Sequence, residues 1–377
     1  MTMKKMTSGE VFEKVRKEEA FFLLDVRNES DFNDWRIDGK KVESLNVPYF
    51  ELIDGVEGIT DKLPKDKDIL VVCAKEGSSV MVAEMLSEAG FNVSYLEGGM
   101  KSWSEYLHEA VVYEDDKISV YQYIRSGKGC LSYMVVSNGE ALVVDPARFV
   151  DKYVKLAEDK GAKITHIVDS HLHADHISGG RVLAEQTGAK YYLMKSEGAV
   201  FDFQPLETHE KIEFADVTLE VLAVKTPGHT PGSVSFFVNN KLLFSGDTIF
   251  VNGLGRPDLG GKAKEWAKDL YNTVYSKISE ITDDVIVLPG HYADYDTEVN
   301  EEGFIGDTLG NIRKQNDLMT NTGEEEFVEH YAANESAQTP PNFEEIVAIN
   351  RGELAADVEK QQELEIGPNR CAVHHAG

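Results

Sequence analysis

The chain has 377 residues, too many for one ordinary hydrophobic core, so two domains are expected. Its 42% apolar and 28% charged residues describe a soluble globular protein, and no apolar run is long enough to cross a bilayer. A formal charge of -28 repels phosphate backbones and argues against nucleic acid as a partner. The opening MTMKKMTSGEVFEKVRKEE has neither the apolar core nor the small-residue cleavage site of a secretory signal, so a cytoplasmic location is expected. Residues 292–377 hold 5 basic and 19 acidic side chains, half of the excess charge, and read as solvated helices and loops rather than a binding patch. The three cysteines, Cys73, Cys130 and Cys371, lie far apart with no CxxC pair, so neither a disulfide framework nor a thiolate zinc site is indicated. An isolated cysteine is ordinarily an inert core residue.

In chain order, TSGEVFEKVRKEE carries a Thr7-x-x-Glu10 capping box and predicts a helix. FFLLDVR and DILVVC are short apolar runs that predict buried strands. SSVMVAEMLSEAG predicts an amphipathic helix stopped at Gly90, and FNVSYLEGGMKSW a strand followed by a glycine turn. Strands alternating with helices imply a parallel sheet covered by helices. SEYLHEAVVYEDDK reads as a charged connector over about 105–117. Beyond it, ISVYQYI, CLSYMVV and EALVVD predict an antiparallel meander, FVDKYVKLAEDKG a helix and ITHIVDS a strand. VTLEVLAVKTPGH, SVSFFVNNKLLFSGD (with a hairpin turn at Asn239-Asn240) and DDVIVLPGH add further strands. The expected division is 1–108 and 112–377.

Four predicted strands end in ligand-type residues: DSHLHADH, TPGHTPGS, FSGDTIF and LPGHY. Each has glycine, proline or a polar turn beside it, which aims the side chains out of one sheet edge. A lone histidine is ordinarily a satisfied core or surface residue, but recurrence in one local setting points to a metal site.

These segments resemble the metallo-β-lactamase superfamily over roughly residues 115–300, implying an α+β, αββα sandwich. Seven positions match its ligand set: His171, His173, Asp175, His176, His229, Asp247 and His291. Two subgroups fit this set. Glyoxalase II-like thioester hydrolases use all seven for two zinc ions and a bridging hydroxide. Persulfide dioxygenases hold one Fe(II) per chain through the residues matching His171, His229 and Asp247, leaving three open positions for substrate and dioxygen. His173, Asp175, His176 and His291 are then supporting residues or, in the other reading, ligands of a second metal. The motif does not separate the two. GLGRPDL resembles the dioxygenases' Gly-Arg-x-Asp segment, which implies substrate binding by Arg256 and Asp258, and GPNRCAV around Cys371 resembles their Asn-x-Arg-Cys ending with a shifted spacing.

ILVVCAKEGSS places Cys73 at the end of a buried strand before a loop and a helix N-terminus, where successive N–H groups favour a thiolate. With LLDVRNESDF, LNVPY and YLEGGMKSW, this stretch resembles a rhodanese, the α/β sulfurtransferase fold of a parallel sheet with helices on both faces, over residues 5–105. The resemblance implies that Cys73 carries a persulfide, cradled by Ala74, Lys75, Glu76, Gly77, Ser78 and Ser79, with Asp25, Arg27 and Trp103 as scaffold. The loop departs from the family in offering only Lys75, beside Glu76, where arginines usually neutralise thiosulfate. NDWRIDGKKVES also replaces the short segment expected after the Asp-x-Arg pair.

The expected function is a bifunctional sulfur enzyme acting on a small thiol persulfide, dioxygen, and sulfite or thiosulfate, with a homodimer or higher homo-oligomer suggested by the resemblance alone. The alternatives are a two-zinc thioester hydrolase with an idle first domain, and a first domain that binds or senses through reversible oxidation of Cys73.

Overall fold

The computed structural model describes residues 3–222, 232–255, 263–333 and 342–368. The chain divides into two compact units: Met1–His108 with Arg125–Lys128 and Ile366–Pro368, and the remainder.

The first unit is built on a five-stranded sheet of β1 (Lys4–Met6), β2 (Phe21–Asp25), β3 (Val42–Asn46), β4 (Ile69–Val72) and β5 (Val93–Leu96), ordered β1-β5-β4-β2-β3 with every pairing parallel. β2 and β4 are buried at every position, so both faces of the sheet are covered, which is why their sequences are continuous apolar runs. Phe22, Leu24, Ile69 and Val71 share one core with Val82, Ala83 and Leu86 of α3 (Gly77–Glu88). α1 (Ser8–Arg16) begins with the expected capping box: Thr7 Oγ1 accepts from Glu10 N at 3.2 Å, and Glu10 accepts from Thr7 N at 2.8 Å. α2 (Glu29–Asp34) follows β2, and α4 (Gly99–Glu105) follows β5.

The second unit holds two facing sheets. One has the order β12-β11-β10-β9-β8-β7-β6, from β6 (Leu107–Glu114), β7 (Ser119–Arg125), β8 (Cys130–Ser137), β9 (Glu140–Val144), β10 (Lys163–Val168), β11 (Lys190–Leu193) and β12 (Gln204–Pro205). The other has the order β13-β14-β15-β16-β19-β20, from β13 (Lys211–Phe214), β14 (Val217–Leu222), β15 (Ser235–Val238), β16 (Leu242–Gly246), β19 (Ile286–Pro289) and β20 (Asp307–Thr308), with β17 (Ile249–Phe250) and β18 (Gly253–Leu254) as a small ribbon. Val120, Leu131, Val144, Leu219, Phe236 and Phe244 come from both sheets and form one shared core. Helices α5 (Val150–Asp159) and α6 (Gly180–Thr187) pack on the first sheet. α7 (Ala263–Asn272), α9 (Leu309–Gln315) and α10 (Glu324–Ala333) share a core with Leu243 and Val287 on the outer face of the second. A short helix, α8 (Tyr295–Glu298), precedes β20, and α11 (Phe343–Arg351) and α12 (Val358–Glu365) follow α10. This is the expected αββα sandwich. Asn239 and Asn240 take φ of 49° and 56°, the left-handed pair of the expected hairpin.

One expectation fails. The stretch read as a charged connector contains strand β6, whose burial alternates between inside and outside around Ala110 and Val112. Its exposed face carries Glu109 and Val111, and that mixture hid a period of two. Among the described residues no helix is long and apolar enough to cross a membrane.

Leu24 has no exposed surface. Leu24→Ala is expected to cost about 2–5 kcal/mol of the first unit's stability, read as a lower urea midpoint. An unchanged midpoint contradicts the packing described.

Candidate metal centre and sulfur-carrying loop

At one edge of the sandwich the strand ends converge. β10 runs into the loop 169–179, Asp247 directly follows β16, and Gly290-His291 directly follow β19. His171, His173, Asp175, His176 and His291 are each at most 2% exposed, and Asp247 is 8% exposed. The structure therefore brings together six of the seven expected ligands. The seventh, His229, lies outside the described residues, as do Arg256, Asp258 and Cys371.

Each ring is aimed by a neighbour. Ser170 Oγ lies 2.9 Å from His171 Nδ1, turning the other nitrogen toward Asp247, with Nε2 and Oδ2 3.7 Å apart. Two donors bound ~2.1 Å from one ion sit about 3 to 3.5 Å apart, so this pair would close slightly to share one. Asp247 Oδ1 is taken on its other side by His291 Nδ1 at 2.6 Å, and His291 Nε2 meets Asp175 Oδ2 at 3.0 Å. Burial works against a charged His291, but Asp247 and Asp175 outweigh it and hold its pKa well above the ordinary value. Asp175 also meets His176 Nδ1 at 3.0 Å. Gly290 permits the approach, since a Cβ there would fall 2.7 Å from Asp247 Oδ1.

His173 is different. Among the described residues neither of its buried ring nitrogens has a hydrogen-bond partner, although Nε2 lies 3.5 Å from Asp145 Oδ1. Burial pushes its pKa well down, which keeps the imidazole neutral, the form that ligates metals. An orphaned buried imidazole beside His171 and His176, with ring centroids 4.3 and 4.1 Å away, fits a site for a cation.

Two contributors escaped the sequence reading. Cys130 was expected to be an inert core residue, yet its Sγ lies 3.5 Å from both Asp175 Oδ2 and His176 Nδ1. β8 runs antiparallel to β9, so its first residue lies beside the ligand-bearing strand ends, and Leu131 N donates to Gly290 O at 2.8 Å. Asp145 ends β9 at φ 50° and accepts from Ser170 N at 2.6 Å, holding the start of the ligand loop. The strand-end criterion applied to EALVVD would have found it.

In the first unit, Cys73 stands at the end of β4 and is 5% exposed. Its Sγ accepts from Glu76 N at 3.1 Å and lies 3.2 Å from Ser79 Oγ, which donates to Glu76 O at 2.8 Å. α3 begins at Gly77, so its N-terminus adjoins the sulfur. Glu76 holds φ of 107°, rare for a residue with a side chain, and its carboxylate accepts from Gly98 N at 2.7 Å. A Cβ at Gly99 would lie 2.3 Å from Cys73 O, which makes that second glycine obligatory. Ala74, Lys75 and Gly77 are exposed, Ser78 half-buried and Ser79 buried. Asp25 and Arg27 form a buried ion pair at 2.6 Å, and Arg27 Nη2 also donates to Trp35 O at 2.6 Å, a scaffold role. Trp103 packs against Phe12 with ring centroids 6.3 Å apart.

The Rhodanese-like domain family matches residues 8–106 and the Metallo-beta-lactamase superfamily residues 125–291. The chain belongs to the metallo-beta-lactamase superfamily and carries a rhodanese-like domain ahead of that part. Its relatives there include the human mitochondrial persulfide dioxygenase ETHE1, 32% identical over 189 residues, which span 49% of this chain and 69% of that protein. A hydroxyacylglutathione hydrolase of Polaromonas sp. is also 32% identical, over 160 residues spanning 41% of this chain and 57% of the hydrolase. Among solved structures, ETHE1 from Myxococcus xanthus superposes with a TM-score of 0.53 at 26% identity, over 61% of this chain and 96% of that one.

Removing His291 leaves Asp247 without its 2.6 Å partner. His291→Ala is expected to weaken cobalt binding about 10- to 100-fold in chelator competition while stoichiometry stays at one ion per chain. A fall from two ions to one would instead make His291 a ligand of a second metal.

Proposed function

We propose that the chain oxidises a low-molecular-weight thiol persulfide to thiol and sulfite and passes sulfane sulfur through Cys73. The observation that carries this reading is the joining, in one chain, of the ligand set around His171 and Asp247 to a buried thiol that accepts from Glu76 N beside a helix start. Both chemistries act on the same kind of sulfur atom.

His171, His229 and Asp247 would hold one Fe(II). Two imidazoles and a carboxylate leave open positions, and bound ferrous iron would supply the redox chemistry that lets dioxygen react with a sulfane sulfur. The overall change balances as persulfide, dioxygen and water giving thiol, sulfite and protons. This chain's own residues would orient the ligands and keep the centre dry. His291 faces a carboxylate from each nitrogen, Asp247 and Asp175, and would orient both toward the site. Ser170 fixes the His171 ring, and burial at the strand ends excludes bulk water.

At Cys73 the thiolate would attack the outer sulfur of a persulfide, breaking the donor's S–S bond and forming Cys73–S–S⁻ as the donor leaves as a thiol. Sulfite can then take that sulfur, leaving thiosulfate and the free thiolate. Glu76 N and the start of α3 support a single negative charge on the sulfur. Lys75 is offset by Glu76, so a dianionic donor is served poorly and a thiol persulfide well.

The thioester-hydrolase reading is kept by one observation: Asp175, His176 and His291 are all in place beside the likeness to hydroxyacylglutathione hydrolase. The two separate by metal content and oxygen uptake. Protein purified without oxygen is expected to hold about one iron per chain and to consume dioxygen when glutathione persulfide or a similar thiol persulfide is added. Two zinc ions per chain with no uptake would refute the dioxygenase.

Cys73→Ser is expected to abolish sulfur transfer from persulfide to sulfite and leave oxygen uptake intact. Unchanged transfer would make the first unit a binding or sensing module.

A further inference from the structure

The loop 169–179 has no helix or strand ladder to fix its backbone, yet it bears four of the candidate ligands. Its two ends are tied to neighbouring strands and loops, with Asp169 N donating to Tyr192 O, Ser170 N to Asp145 and Gly179 N to Pro146 O, while the turn between them is held from the far end of the chain. Ile346, Ile349 and Leu364 of α11 and α12 pack with Ile177 in one buried cluster, seating these helices on the loop. Asn350, 8% exposed, commits its amide to the loop: Nδ2 donates to His173 O at 2.8 Å and His176 O at 2.9 Å, and Oδ1 accepts from Ser178 N at 3.0 Å. Glu365, 1% exposed, accepts from Ile177 N at 2.7 Å, and its other oxygen accepts from Arg148 Nε at 2.7 Å. The acidic tail is therefore not simply solvated, as its composition suggested; two of its polar side chains are buried against the ligand loop.

We propose that Asn350 is the positioning residue of the metal loop. The two carbonyls it holds belong to candidate ligands, His173 and His176, and bracket a third, Asp175. Fixing the peptide planes at both ends of this turn fixes the directions in which those side chains leave the backbone. Ligand sets tolerate displacements of about half an ångström before binding weakens. Asn350 makes all three bonds because one planar amide presents two donors and an acceptor. An aspartate there would aim carboxylate oxygens at two carbonyl oxygens, with almost no change in shape. Glu365 adds a further hold one residue beyond His176. The inference rests on the reading that this loop holds a cation, and not on which cation or which reaction.

The test loads Asn350→Asp and Asn350→Ser with Co(II) in otherwise full-length protein. Chelator competition gives affinity, and the visible ligand-field spectrum reports geometry. Cobalt affinity is expected to fall about 10- to 100-fold with an altered spectrum, as for other groups that orient metal ligands. Ile346→Val, which trims the buried cluster without touching the amide, serves as the packing control. It is expected to lower the metal-free unfolding midpoint and leave cobalt affinity within about twofold, since a single buried methylene is removed. Asn350 variants with wild-type affinity and spectrum would overturn the proposal. So would Ile346→Val weakening cobalt as much as they do, because the effect would then be loss of packing. If neither Asn350 variant folds, Glu365→Gln reports on the same clamp by the same two measurements: weakened cobalt binding at an unchanged metal-free midpoint supports it, and unchanged binding overturns it. Wild-type protein that binds cobalt but consumes no dioxygen with persulfide would count against the proposed reaction and leave this inference standing.

Discussion

A carboxylate taken out of water must be paired, and the pairing of Asp247 organises the second unit. One oxygen faces His171 Nε2 at 3.7 Å; the other accepts from His291 at 2.6 Å. His291 in turn meets Asp175, and Asp175 meets His176 and lies near Cys130. The sequence of contacts runs carboxylate, imidazole, carboxylate, imidazole through an interior where an unpaired charge would cost several kcal/mol. Alternation of sign is what makes the burial tolerable. It also commits His291 to two carboxylates, one from each side of the ring.

The fold delivers these groups by one device used repeatedly. A buried strand cannot carry a polar side chain within its span without a partner, but at its last residue the chain leaves the sheet and the side chain reaches the edge. β9, β10, β16 and β19 each end this way, at Asp145, the histidine loop, Asp247 and His291. β4 does the same in the first unit with Cys73. The two sites differ in the backbone beyond the strand end. After β4 the chain turns directly into a helix, whose N–H groups suit an anion. After β10 and β19 it enters irregular loops, where imidazoles and carboxylates can converge on a cation.

Most of this was legible because strand ends and apolar runs are local properties. The capping box at Thr7, the hairpin at Asn239-Asn240 and the position of Cys73 are each written in a few consecutive residues. What escaped was set by partners distant in the chain. Cys130 looks like the first residue of an ordinary strand; only the antiparallel pairing of β8 with β9 carries it to the edge. Asn350 and Glu365 sit in a segment whose charge argues for solvent, and their roles depend on contacts 172 and more residues away. Strand β6 was missed for a different reason: its outward positions include charged residues, and overall polarity masked an alternation that burial makes plain.

The charge of the chain then bears on the chemistry. A net charge of -28 opposes the approach of any anion, and sulfur substrates are anions. Among the described residues neither site answers with a cluster of basic side chains. At Cys73 the available positive ends are the Glu76 N–H and the start of α3, while the Glu76 carboxylate is fixed nearby by Gly98 N. Dipoles of this kind act over a turn of helix and complement one charge on one atom; they do not neutralise a dianion at a distance. A monoanion with its charge confined to one sulfur makes the smaller demand on the one N–H donor and the helix start beside Cys73. The electrostatics of the loop thus complement a single charge on one atom at Cys73 better than two.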